Sequence, residues 1–239
     1  MKQLIKTILK SLHIDATLNM KYDRQTEKVI QKLLTPSSNT IDIGCHKGEM
    51  LEQFLKASPK GEHFAFEPIP VMFEELRKKF TAPGCHIFPY ALAEKPGTAE
   101  FNFVKNAPAY SGLKQRKYAV ENPEIEKIQV EIKTLDELIP GDKKIDLIKI
   151  DVEGAELGVL KGASQTIARN KPVIIFECGL GASEYYGTKP GDVYNLVVGE
   201  YKLHLSTMQR WLKGEKPYTA NEFIEAYNKG TDYYFIAYA

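Results

Sequence analysis

The chain has 239 residues, of which 43% are hydrophobic and 26% are charged. These values are ordinary for a globular protein and exclude a disordered tail protein, a collagen-like rod and a small disulfide-stapled domain. Its 32 lysine and arginine residues nearly balance its 31 aspartate and glutamate residues, for a net charge of +1. Nucleic-acid-binding proteins usually carry a basic excess, so we expect a small-molecule substrate and no nucleic acid.

The cysteines and the longest apolar runs indicate the cellular compartment to expect. Cys45, Cys85 and Cys178 are widely spaced and form no CxxC pair, which indicates reduced thiols rather than a disulfide framework or a zinc site. No apolar run approaches the ~18 residues of a membrane span. We therefore expect a cytoplasmic protein without stable membrane insertion. The first 12 residues place apolar side chains opposite lysines, which predicts a helix packed on its own domain, with contact to an anionic membrane surface as the alternative.

Short apolar runs alternate with helical patterns along most of the chain, which predicts an α/β fold with a mostly parallel, Rossmann-like sheet and helices on both faces. The predicted strands are 40–43, 63–66, 86–90, 145–151, 173–178, 202–206 and 233–238, and the predicted helices are 23–34, 49–57, 71–80, 155–170, 192–199 and 220–227. Two further strands, 98–105 and 128–134, have only a loop between them. We interpret residues 1–239 as one domain with an N-terminal helical segment at 1–36 and an insertion of strands and lid loop at 98–134.

The first predicted strand ends in the turn Asp42-Ile-Gly44-Cys-His-Lys-Gly48, directly before a helix. Gly44 permits a tight turn, and Gly48 permits a ligand to lie against the backbone at the helix N-terminus. Glu67 ends the next strand, where an acidic side chain accepts hydrogen bonds from both hydroxyls of a ribose. The first glycine of a G-x-G-x-x-G fingerprint is replaced by Asp42, which suits a cationic ligand better than a pyrophosphate.

That turn resembles the S-adenosylmethionine loop of class I methyltransferases, whose cofactor carries an ammonium and a sulfonium. A second motif, Lys149-Ile-Asp151-Val-Glu153-Gly154, follows a buried strand. Ligands of open α/β sheets bind beyond the carboxyl ends of the strands, so Asp151 and Glu153 are expected to face the same crevice as Asp42 and Glu67.

Residues 40–177 closely resemble the FkbM family of methyltransferases. The motifs that carry the resemblance occur in family order: Ile-Asp-Ile-Gly-x-x-x-Gly, Phe66-Glu67-Pro68, Ala91-Leu92-Ala93-Glu94-x-x-Gly97, Thr134-Leu135-Asp136-Glu137-Leu138, Lys149-Ile-Asp-Val-Glu-Gly-Ala-Glu156 and Pro172-Val-Ile-Ile-Phe-Glu177. The chain departs from the family where Cys45 and His46 replace Ala-Asn, and where Pro89 stands near an expected Asn. The resemblance implies S-adenosylmethionine as cofactor and methylation of a hydroxyl on a sugar, a glycan or a small secondary metabolite.

The predicted site follows from these motifs. The cofactor contacts are Asp42, Gly44, Cys45, His46, Gly48, Glu67, Pro68, Ala91 and Leu92. The candidates for the base that accepts the acceptor proton are Asp151 and Glu153, with helix capping as the alternative role of Glu153. Ser111 and Glu177 are predicted to contact the acceptor, and Lys149 is expected to pair with Asp151 or Glu177 or to extend into solvent. A carboxylate cluster around Glu177 is able to hold a divalent cation, but we predict no metal.

Two other functions remain open at this level. An oxidoreductase that uses NAD would share the sheet and Glu67, but it should show G-x-G-x-x-G, which Asp42 interrupts. A methyltransferase-like binding module without catalysis should lack the pair Asp151 and Glu153, which is present.

Overall fold

The computed structural model describes residues 17–239. The helix predicted in the first 12 residues lies outside that range. Within it, no helix combines the length and the apolar character that crossing a membrane requires.

The strands of the described residues form two sheets. In chain order they are β1 (Thr40–Ile43), β2 (His63–Phe66), β3 (Cys85–Phe88), β4 (Tyr90–Leu92), β5 (Gly97–Val104), β6 (Ile125–Lys133), β7 (Leu147–Ile150), β8 (Val173–Glu177), β9 (His204–Ser206) and β10 (Tyr234–Tyr238). The large sheet has the order β3-β2-β1-β7-β8-β10-β9, and β4, β6 and β5 form the small sheet. Strands β3, β2, β1, β7 and β8 are parallel, whereas β10 runs antiparallel to both of its neighbours.

Helices connect these strands. They are α1 (Leu18–Leu33), α2 (Glu49–Ala57), α3 (Pro70–Lys79), α4 (Leu135–Leu138), α5 (Glu156–Lys161), α6 (Ser164–Asn170), α7 (Pro190–Tyr194), α8 (Met208–Lys213) and α9 (Ala220–Lys229). Short 3₁₀ helices occur at Pro108–Tyr110 and Ser183–Tyr186, and a π-helix follows α7 at Asn195–Glu200.

The large sheet buries an apolar layer on each face, because alternate side chains of a strand point in opposite directions. On one face Ile148 and Phe176 pack against α5, α6 and α9. On the other face Leu147 and Ile175 pack against residues of α1 and α2, including Phe54. The predicted fold class is therefore confirmed: a mostly parallel sheet lies between two layers of helices.

Three predicted elements were wrong in their extent. The strand predicted at 86–90 is two strands in different sheets, separated at Pro89, which has no N–H to donate to a ladder. The helix predicted at 155–170 is interrupted at Gly162, where a Cβ would lie 2.1 Å from the Ala93 carbonyl oxygen. The helix predicted at 192–199 changes to a π-helix at Asn195. The assignment of the whole chain to one domain stays a prediction.

His63 links the first two strands of the sheet from a fully buried position. Its Nδ1 lies 2.8 Å from the Thr40 hydroxyl and its Nε2 lies 2.9 Å from the Ser58 carbonyl oxygen. Burial lowers the pKa of His63, so the folded state holds the ring neutral. An unfolded histidine gains a proton as the pH falls below about 6.5, and the stability that neutral His63 provides is lost as the pH falls through that range.

We therefore expect His63→Leu to lower the free energy of unfolding by about 1–3 kcal/mol at pH 8, because it leaves the buried Thr40 hydroxyl unpaired and removes one of the two hydrogen bonds to the Ser58 carbonyl oxygen. The difference from the wild type should narrow between pH 7 and pH 5. Urea denaturation across that range measures it, with His204→Leu at an exposed position as the control. A difference that is constant with pH would contradict this role of His63.

Candidate functional site

One cavity of about 650 Å³ lies beyond the carboxyl ends of β1, β2, β7 and β8. Helix α1, the 3₁₀ turn at Pro108–Tyr110 and the small sheet complete its wall. Eleven of the thirteen predicted site residues line it: Gly44, Cys45, His46, Glu67, Pro68, Ala91, Leu92, Ser111, Asp151, Glu153 and Glu177. The structure thus brings residues that are distant in sequence to one crevice, as expected for the end of a parallel sheet.

The turn after β1 approaches the turn after β7 too closely for side chains. Gly44 has φ of 77°, and a Cβ on it would lie 1.9 Å from the Asp151 carbonyl oxygen. Gly48 also has positive φ, but a Cβ there would meet the ring of Phe80 at 2.4 Å. The expectation that Gly48 makes room for a ligand is therefore wrong in its reason: this glycine makes room for helix α3 and does not line the cavity.

Glu67 forms part of the cavity wall, although only 4% of its surface is exposed. Two backbone hydrogen bonds hold its carboxylate in place. One carboxylate oxygen accepts the N–H of His46 at 3.0 Å, and the other accepts the N–H of Ile69 at 3.0 Å. Burial raises the pKa of Glu67 to about 7. A fixed carboxylate with lone pairs to spare is suited to accept further hydrogen bonds from ligand hydroxyls.

Asp42, Lys149 and Asp151 form a buried row of charges in the middle of the sheet. Asp42 on β1 lies opposite Lys149 on β7 in the strand register, and Lys149 Nζ is 3.8 Å from Asp42 Oδ1 and 3.1 Å from Asp151 Oδ2. The predicted pairing of Lys149 with Asp151 is confirmed. Asp42 has no exposed surface and does not line the cavity, so the expectation that it faces the crevice is wrong: its side chain lies within the sheet beside Lys149.

The charge balance in this row is set by burial and by the lysine. Burial raises the pKa of Asp42 to about 6. Burial also opposes the charge of Lys149, but Asp151 and Asp42 outweigh it and hold the pKa of Lys149 above its usual value. The lysine therefore stays charged at neutral pH, and Asp151 reaches the cavity with a cation behind it.

Asp151 has two further partners. Tyr234 on β10 donates its hydroxyl hydrogen to Asp151 Oδ2 at 2.5 Å. Burial disfavours the charge of Asp151, but Lys149 and Tyr234 outweigh it and lower its pKa. Burial and the Asp151 charge together hold the pKa of Glu177 well above its usual range. Glu177 therefore binds a proton more readily than Asp151 does.

Glu153 adopts a left-handed backbone conformation, with φ of 58°, in the turn after β7. Its carboxylate forms an ion pair with Arg116 from the lid segment, and the Arg116 side chain is only 10% exposed. Arg116 also donates from Nη1 to the Gly181 carbonyl oxygen at 3.1 Å. Glu153 is therefore tied to the lid.

Glu156 braces this turn from beneath. It is 2% exposed, and its Oε1 accepts the N–H groups of Val152 and Gly154, each at 3.1 Å. Gly154 has φ of 106°, and a Cβ on it would lie 2.5 Å from the Ala182 carbonyl oxygen. The turn that carries Asp151 and Glu153 is thus fixed in position by its own backbone contacts.

Three acidic side chains meet at the base of the cavity. Oxygens of Asp151, Glu153 and Glu177 lie within 4.8 Å of one another, a spacing that could accept a cation. Lys149 and Arg116 already supply positive charge to this cluster. The absence of a metal stays a prediction.

The lid is docked on the segment after β8. Lys114 donates its N–H to the Tyr186 hydroxyl at 3.1 Å, and Lys117 donates its N–H to the Tyr185 hydroxyl at 3.2 Å. Ser111 lies beneath the lid, where its hydroxyl accepts the N–H of Val104 at 3.0 Å.

Sequence reasoning did not find Arg116, Tyr234 or Tyr22, which all line the cavity. Arg116 is one basic residue in a loop, Tyr234 belongs to the last strand and Tyr22 to the first described helix. None stands in a motif, so only tertiary structure brings them to the site.

Comparison with known proteins agrees with this geometry. The methyltransferase FkbM domain family matches residues 42–202. The 2-O-methyltransferase NoeI of Sinorhizobium fredii is 27% identical over 65% of this chain and 68% of its own length. The hexuronic acid methyltransferase AglP of Haloferax volcanii is 30% identical over 73% of this chain and 69% of its own length. The methyltransferase sdnD of Sordaria araneosa is 29% identical over 52% of this chain and 60% of its own length.

The fold comparison includes a crystal structure of an FkbM methyltransferase from Methylobacillus flagellatus. The two chains superpose with a TM-score of 0.53 at 16% identity, over 86% of this chain and 44% of that one. The large sheet described above is thus a class I methyltransferase sheet. With two thirds of its residues inside the family match and the motifs assembled around one cavity, this chain belongs to the FkbM methyltransferase family.

Proposed function

We propose that this chain transfers a methyl group from S-adenosylmethionine to a hydroxyl of a sugar or glycan. The observation that carries the proposal is the convergence of the Gly44 turn, Glu67 and the Asp151 turn on one cavity. The position, at the carboxyl ends of adjacent parallel strands, is where open α/β sheets bind nucleotide-type ligands.

The residues at the cavity suit this cofactor. Glu67 is oriented by two backbone N–H groups and retains lone pairs for the two ribose hydroxyls. The Gly44 turn and the loop to Gly48 lead into α2, whose first residues line the cavity. The carboxyl groups of Asp151, Glu153 and Glu177 at the base of the cavity suit a ligand that carries positive charge. Asp42 contributes through Lys149 rather than by contact.

When bound, S-adenosylmethionine supplies an activated methyl group on a sulfonium. The protein then has to align an acceptor oxygen and accept its proton, and alignment alone is worth ~7–11 kcal/mol. Asp151 faces the cavity, and Lys149 and Tyr234 favour its ionised form, so its carboxylate is suited to accept the proton. Glu153 is paired with Arg116, and we assign it to positioning.

The acceptor class is supported by the wall and by the relatives. Five tyrosines line the cavity and offer flat apolar faces with polar tips, which suit a sugar ring: Tyr22, Tyr90, Tyr110, Tyr233 and Tyr234. Two similar proteins are named as a 2-O-methyltransferase and a hexuronic acid methyltransferase.

The direct test is incubation with S-adenosylmethionine and a panel of neutral sugars, hexuronic acids and small secondary metabolites. Mass spectrometry should show a product that is heavier by one methylene for a sugar. If a product formed only with non-sugar metabolites, the acceptor would belong to that class and not to the sugars. Binding of NAD in preference to S-adenosylmethionine would end the methyltransferase proposal.

Glu67→Ala should weaken binding of the demethylated cofactor by about 10- to 100-fold, because it removes charge-assisted hydrogen bonds worth ~1.5–3 kcal/mol. It should also lower the melting temperature, since the N–H groups of His46 and Ile69 lose their acceptor. Titration calorimetry at a temperature where both proteins are folded measures the affinity. Glu75→Ala, an exposed acid on α3, is the control. Unchanged affinity in Glu67→Ala would show that the ribose assignment is wrong.

Asp151→Asn keeps the shape of the side chain but removes its basicity, so turnover should fall by about 10²-fold or more. Glu153→Gln should cost less than about tenfold, because Glu153 is paired with Arg116 and positions the lid rather than accepting the proton. Single-turnover kinetics with saturating cofactor separates these effects from binding. A larger loss for Glu153→Gln than for Asp151→Asn would reverse the two roles.

A further inference from the structure

The base of the cavity concentrates negative charge. Asp151, Glu153 and Glu177 bring carboxylate oxygens within 4.8 Å of one another, and Lys149 lies between Asp151 and Asp42. Oxygen clusters of this size are where proteins hold Mg²⁺, Mn²⁺ or Ca²⁺. Three adjacent carboxyl groups repel one another when they are ionised together, so a nearby positive charge lowers the cost of ionising them.

Arg116 is fixed at this cluster from several directions. It pairs with Glu153, donates to the Gly181 carbonyl oxygen, and lies over the ring faces of Tyr110 and Tyr118 at 5.4 and 6.0 Å. Its Nε is buried and has no hydrogen-bond partner among the described residues. A guanidinium held this firmly against a carboxylate at low exposure is much stronger than an exposed ion pair.

The charge of Arg116 also acts on the rest of the cluster. It favours the ionised form of Glu177, against burial and the charge of Asp151. Lys149 serves the other side, at 3.1 Å from Asp151. Each acidic group of the cluster therefore has a side-chain cation near it, and one of the two cations arrives on the lid.

We propose that Arg116 is a positioning residue that takes the place of a divalent cation in the acceptor cavity. Its guanidinium neutralises the cluster of Asp151, Glu153 and Glu177, and it holds Glu153 against the lid. Asp151 is then left free to act on the acceptor. This last step rests on the proposed function, whereas the exclusion of a cation does not.

If Arg116 keeps divalent cations out of the carboxylate cluster, removing its side chain should create a cation site. Arg116→Gln should bind Mn²⁺ saturably, at least about tenfold more tightly than the wild type, because three carboxylates lose their built-in counter-charge. Arg116→Gln combined with Glu153→Gln should lose the gain, since one ligand is gone. Arg116→Lys keeps the charge and should bind Mn²⁺ as weakly as the wild type does. Electron paramagnetic resonance of free Mn²⁺ measures all four proteins without cofactor or acceptor.

The control is Lys114→Gln, which removes one positive charge from the same lid outside the cavity wall. It should leave Mn²⁺ binding as in the wild type. Equal Mn²⁺ affinity in the wild type and Arg116→Gln would overturn the proposal. A gain of the same size in Lys114→Gln would also overturn it, because the effect would then be general lid charge.

Turnover provides a second readout once an acceptor is known. Arg116→Gln should lower kcat more than it raises the KM for the cofactor, and Mn²⁺ should restore part of kcat in Arg116→Gln but not in the double variant. Loss of wild-type turnover on treatment with EDTA would overturn the proposal. If a thermal melt shows that Arg116→Gln does not fold, Arg116→Lys provides the test. Tighter Mn²⁺ binding by Arg116→Lys than by the wild type would overturn the proposal. Unchanged Mn²⁺ binding together with a reduced kcat would support it. Because Mn²⁺ binding needs no methyl transfer, failure of the proposed function leaves this test intact.

Discussion

The site depends on one buried lysine. Lys149 lies in the central strand of the large sheet, between Asp42 on the neighbouring strand and Asp151 at its own carboxyl end. An unpaired ammonium in this position would cost several kcal/mol, and removing either aspartate would leave charge uncompensated. The parallel register of β1 and β7 sets the Asp42 contact, so the sheet itself determines which carboxylate reaches the cavity. Asp42 stays below as counter-charge, and Asp151 emerges at the wall.

The same need for compensation explains why the lid carries an arginine. The turn after β7 presents Asp151 and Glu153 together, and Glu177 arrives from the next strand. Lys149 cannot serve all three from beneath. A second cation has to come from above, and Arg116 reaches Glu153 from the lid while it also contacts the backbone after β8. Charge balance at the cavity therefore couples the inserted segment to the central sheet.

The sequence was sufficient to predict the sheet and its parallel strands, because apolar periodicity and turn residues are local signals, and its family motifs supplied most of the predicted site residues that line the cavity. Three kinds of feature could not be predicted from the sequence. Pro89 separates two strands of different sheets, yet the apolar run continues across it. Gly48 has the spacing of a ligand-binding glycine, but its space is filled by Phe80. Tyr234 contacts Asp151, 83 positions away in the sequence, only because β10 inserts beside β8.

The conformation of Glu153 follows from the same balance. A residue other than glycine in the left-handed region costs on the order of 1 kcal/mol or more, so the turn needs contacts that hold it. Glu156 supplies two hydrogen bonds to the backbone of this turn, and Arg116 binds the Glu153 side chain. Glycine at this position would relieve the backbone but would leave Arg116 buried without its carboxylate. A strained acidic residue is therefore retained where relaxed backbone would be simpler, because its charge fixes the lid over the cavity.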